Sequence, residues 1–148
     1  MLEDKQRVLK QSHLQVETDP NAVTKIIEWF EQFSDGLVPE QFALQCKLVL
    51  AETFTAVVRL ARQNLYPTTS TSFELKLFAD YLEIRILEPG LPFHLPAHLL
   101  EHLAQPEVDD WDMRFVLRLI DERCYICLPD GRNYLVMRKR LVKDSKSQ

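Results

Sequence analysis

The stretch "SFELKLFADYLEIRIL", Ser72 to Leu87, constrains the fold more than any other part of the chain. Phe73, Leu75 and Leu77 alternate with polar residues, and after a short break Leu82, Ile84 and Ile86 repeat the pattern. Successive strand side chains point to opposite faces, so each run carries one apolar and one polar face. Glu74, Lys76, Glu83 and Arg85 fill the polar positions, and Ala79-Asp80 marks the turn. Two such runs around a short turn predict a β-hairpin.

The segments before the hairpin read as helices. In "DPNAVTKIIEWFEQF", Asp19 stands as an N-cap and Pro20 at the first helical position. Val23, Ile26, Ile27, Phe30 and Phe33 then recur at helical spacing, which predicts an amphipathic helix ending near Ser34-Asp35-Gly36. Pro39 opens a second helix, "EQFALQCKLVLAETFTAVVRLARQNL", with two apolar stripes. One is Phe42, Cys46, Val49, Thr53, Val57 and Leu60; the other is Leu44, Leu48, Ala51, Thr55 and Val58. A helix apolar on more than one side is expected to be central and covered on most sides. Glu52, in its middle, needs a reason to be there.

A short strand is expected at His13–Thr18, and "YPTTSTS" is a loop. After the hairpin come "LPAHLLEHLA" and "DDWDMRFVLRLIDE", read as a short and a longer helix. The chain then closes with a second hairpin, "RCYICLPDGRNYLVMRKRL", around Pro129-Asp130-Gly131. This order implies an α+β fold with an antiparallel or mixed sheet and helices on one face. A chain of 148 residues, 46% apolar and 27% charged, is one globular domain's worth.

Composition narrows the function classes. A net charge of −4 argues against a general nucleic-acid or membrane-surface binder. The short basic run "MRKRLVKDSK" reads as a solvated strand and tail. No apolar run is expected to reach the roughly 20 residues of a membrane span. The charged start "MLEDKQRVLKQSH" lacks a signal peptide's apolar stretch, so a cytoplasmic protein is expected. Cys46, Cys124 and Cys127 fit a reducing compartment. Cys124 and Cys127 form a CxxC, but residues three apart on a strand face opposite ways and no second pair exists, so metal or redox work is not expected. His98 and His102 have a metal-compatible helical spacing. His94 falls outside that helix and no third ligand is well placed, so these read as surface histidines.

Taken together, "WFEQF", "LAETFTAVVRLAR", "LEIRILEPGLPFHL" and the terminal "DGRNYLVMRKR" resemble the bacterial anti-sigma-factor serine kinases, members of the histidine-kinase-like ATPase superfamily. The resemblance spans residues 13–141, between an N-terminal extension at 1–12 and a basic polar tail at 142–148. It implies a two-layer sandwich of the histidine-kinase-like (Bergerat) kind, with a mixed, mainly antiparallel sheet.

The family's functional positions transfer unevenly. Its general-base glutamate corresponds to Glu52. The asparagine that holds magnesium four residues later corresponds to Ala56, whose methyl cannot ligate a metal; Thr55 and Arg59 do not replace it. The adenine-binding aspartate and its following glycine correspond to Glu88 and Gly90, so the carboxylate is kept on a longer arm. The glycine-rich phosphate lid is replaced by "QPEVDDWDMRF", with Glu107, Asp109, Asp110 and Asp112 where phosphates need donors. Like charges at close range in a water-poor cleft typically cost several kcal/mol. Asp109 or Asp110 would instead cap the next helix, with Asp112 in its first turn.

The resemblance therefore implies a non-catalytic regulatory protein of a partner-switching system, with no cofactor, binding a sigma factor or an anti-anti-sigma protein and leaving room for a homodimer. Trp29, Phe33, Trp111 and Phe115 are the candidate contacts. The alternative is an active ATP- and magnesium-dependent serine kinase acting on the anti-anti-sigma partner. Plain structural roles also stand: Glu88 capping a turn, and Glu52 paired with Arg59 or Arg62.

Overall fold

The computed structural model describes residues 7–62, 70–87, 116, 118–127 and 133–141. The first hairpin forms as β2 (Ser70–Leu77) and β3 (Tyr81–Leu87), with Phe73 opposite Ile86, Leu75 opposite Ile84 and Leu77 opposite Leu82. The Phe78 N–H donates to the Tyr81 carbonyl at 2.9 Å to close the turn, and the two rings stack with centroids 4.5 Å apart. On one side of the hairpin lies β1 (Lys10–Glu17), paired with β2. On the other lies β5 (Asn133–Arg140), with β4 (Glu122–Cys127) outside it. The order is β1-β2-β3-β5-β4.

Among the described residues all four pairings are antiparallel, the first of the two arrangements that the order of elements allows, and the mixed sheet implied by the resemblance has no parallel pair there. The reason lies in the path from β1 to β2. Helix α1 (Val23–Ser34) returns to the start of β1, where Phe33 meets Lys10, and α2 (Glu40–Arg62) begins at that same end, where Phe42 meets Lys139. Each element reverses the one before, so β2 enters against β1. The first strand also starts three residues earlier than expected. Lys10, Gln11 and Ser12, assigned to an extension, pair with Leu77, Lys76 and Leu75.

Helix α1 follows a single 3-10 turn, Pro20–Ala22. The Asp19 carboxylate accepts the Asn21 N–H at 2.8 Å, so Asp19 caps this turn and not the α-helix itself. The helix ends at Gly36, whose φ of +74° favours a residue without Cβ. Of its apolar stripe, Ile26, Phe30 and Phe33 are buried, and Val23 and Ile27 are half-buried.

Helix α2 separates its two stripes. Phe42, Cys46, Val49, Thr53 and Val57 are buried, whereas Leu44 is 51% exposed, Thr55 is exposed, and Leu48 and Ala51 are half-buried. Only Val58 of the second stripe is buried, so the helix is less central than its composition implies. Its stretch Glu40–Arg59 is long and apolar enough to cross a membrane by length and composition, a correction to the sequence reading. Half of that stretch is buried within this fold.

One core cluster joins both helices to one sheet face: Ile26 and Phe30, then Leu50 and Phe54, against Phe73, Leu75, Ile84, Ile86, Leu135 and Met137. Phe73 sits 5.9 Å from Phe54 and 6.3 Å from Trp29, ring centre to ring centre. The arrangement is α+β and compatible with a two-layer sandwich.

The end of the covered face carries two lysines. Register aligns Lys10, Leu77, Leu82 and Lys139 in one row across four strands. Lys10 donates to the Phe33 carbonyl at 2.9 Å, in the last turn of α1. Lys139 donates to the Leu119 carbonyl at 2.7 Å, where Val116, Arg118 and Leu119 are helical. Each ammonium meets carbonyls left open at a helix end and opposes the negative end of its dipole.

Candidate functional site

Glu52 and Ala56 sit one turn apart on α2, a spacing that puts them on one face of the helix. Glu52 is half-buried, while Ala56 is only 2% exposed and belongs to the apolar core cluster. The Thr55 hydroxyl, on the exposed side, donates back to the Ala51 carbonyl at 2.8 Å. That bond occupies its hydrogen within its own helix. Arg59 is exposed; neither it nor Glu52 is without a partner.

Glu88 and Gly90 lie outside the described residues, one and three positions past the end of β3. So do Glu107, Asp109, Asp110 and Asp112, the three histidines at 94, 98 and 102, the turn at Pro129-Asp130-Gly131, and the first four residues of the loop expected at 66–72, whose last three, Ser70, Thr71 and Ser72, instead open β2. The predicted short helix at 95–104 falls outside as well. Among the described residues, no group of three or more His, Cys, Asp or Glu could hold a metal. Cys124 and Cys127 lie three apart on β4, in register with Val136 and Asn133.

The candidate contact residues divide. Phe33 is buried beneath Lys10, whose ammonium lies 5.1 Å from its ring centre. Trp29 is half-buried, and its indole N–H donates to the Ser12 hydroxyl at 2.8 Å, tying α1 to β1. Both serve the fold. Trp111 and Phe115 lie outside the described residues. The large apolar side chains exposed among the described residues are instead Val8, Leu9, Leu37 and Leu44.

A second constellation escapes sequence reasoning. On the sheet face opposite α1 and α2, Glu83 is only 1% exposed. Its Oε2 accepts from Arg85 Nε at 2.6 Å and its Oε1 from Arg138 Nε at 2.9 Å. Glu83 and Arg85 share a face because they are two apart on a strand, and register puts Arg138 opposite Glu83. The Glu83-x-Arg85 spacing was a visible signal; the partner 55 residues away was not. Around them, the Arg138 guanidinium lies 5.1 Å from the Tyr81 ring centre.

Burial works to lower the pKa of Arg138, but the hydrogen bond and charge of Glu83 outweigh it and hold that pKa above the ordinary value. Burial raises Tyr81, with Arg138 opposing and nearby carboxylates adding to the rise. In the core, burial pushes the Cys46 thiol up to about 12, against a smaller opposing pull from Lys139, so this cysteine is not a nucleophile near neutral pH.

Compared with models of known protein families and with curated proteins, the chain gives no match.

Proposed function

We propose that this chain is a non-catalytic, cytoplasmic regulatory protein that binds a protein partner through a histidine-kinase-like ATPase scaffold whose nucleotide site has decayed. The partner in this reading is a sigma factor or an anti-anti-sigma protein. The observation that carries it is Ala56, buried in the apolar core one turn from Glu52, at the position that resembles the family's metal-holding asparagine. Magnesium takes oxygen ligands, and a methyl among hydrocarbon neighbours offers none. Phosphoryl transfer depends on positioning and on charge stabilisation by the metal and by phosphate donors. A lone Glu52 supplies neither. The acidic run at 107–112, where the resemblance calls for a phosphate lid, repels the same ligand.

The retained Glu52 favours a second reading, an active serine kinase with divergent motifs. Calorimetry with millimolar ATP and magnesium separates the two. No saturable heat is expected, and restoring Ala56→Asn alone should not produce any. A dissociation constant below roughly 100 μM, about 5 kcal/mol of binding, would sink the non-catalytic reading. Phosphate transfer to an anti-anti-sigma partner that vanishes in Glu52→Gln would establish the kinase.

A further inference from the structure

We draw no further inference here: the strongest candidate, the cavity of about 570 Å³ where the starts of β3 and β4 meet the end of β5, sets the acidic cluster of Asp80, Asp121 and Glu122 beside Arg138 and Arg140, which already have acidic partners, and nothing in the structure shows what fills it.

Discussion

The two faces of the sheet follow the same alternating pattern and end in different physical states. On the covered face, Phe73, Leu75, Ile84, Ile86, Leu135 and Met137 meet the helices, and Lys10 and Lys139 stand at its end, where each serves a helix terminus. The face opposite α1 and α2 is polar by the same alternation, yet it contains a carboxylate as deeply buried as Leu82 in the core. Alternation assigns a residue to a face; depth depends on what neighbouring strands place beside it. Glu83 is held by hydrogen bonds from two arginines where the core residues meet hydrocarbon, so the two faces should fail differently when cut.

The deepest cut is Phe73→Ala. Phe73 is fully buried between Trp29 and Phe54, and deleting such a ring costs about 3–5 kcal/mol through lost transfer energy and the cavity left behind. Urea unfolding followed by circular dichroism measures it. A cost near 1 kcal/mol would mean that the covered face is loosely packed and the contrast overstated.

On the other face, Glu83→Gln keeps the shape and removes the charge. Breaking a fully buried ion pair costs about 3–5 kcal/mol because an unpaired charge is left in the interior. Here the arginines reach water, Arg138 with 43% of its side chain exposed, so they can rehydrate and about 1–3 kcal/mol is expected. A value within ~0.5 kcal/mol of zero, the range of ordinary surface substitutions, would reduce Glu83 to a surface group.

This difference also measures what could be read in the sequence. Both hairpins and both helices were legible because apolar residues recur at a period that only one element type can bury. The first strand was cut short at His13 because Lys10, Gln11 and Ser12 are polar; their place comes from pairing with β2, which no local pattern encodes. The second stripe of α2 suggests burial that the fold does not provide at Leu44, which stays 51% exposed. At the candidate site, the four-residue spacing of Glu52 and Ala56 was readable and so was the methyl. The role of Glu83 was not, because burial on that face is a property of strand order.

Between the two mutational effects lies a dependence on pH. The Cys46 thiol is raised from an ordinary 9.0 to about 12 by burial. In the unfolded chain the thiol ionises first, so the unfolded state binds fewer protons than the native state between these values. Stability should therefore be intact below about pH 9 and fall as pH rises toward 12, by at most ~1.4 kcal/mol per unit from this group. Cys46→Ala should remove that component of the slope while costing some stability at every pH. An unchanged slope would show that Cys46 ionises in the folded protein as readily as in the unfolded chain.

The smallest effect tests the charged end of the covered face. Lys139→Met and Lys10→Met keep an unbranched apolar stem and delete the ammonium that faces a helix-end carbonyl. A cation at a helix C-terminus contributes about 0.3–1 kcal/mol, more when partly buried and less in salt. Lys139 is half-buried and lies 5.5 Å from the Phe42 ring centre, whereas Lys10 is exposed, so the loss should be larger at Lys139. The two stand three strand spacings apart, roughly 14 Å, with no shared partner among the described residues, so the double substitution should cost the sum of the single ones. Urea unfolding at low and high salt reads all three variants. Equal small losses that salt does not reduce would mean that both lysines act through their stems alone, and the covered face would then be held by hydrocarbon to its very edge.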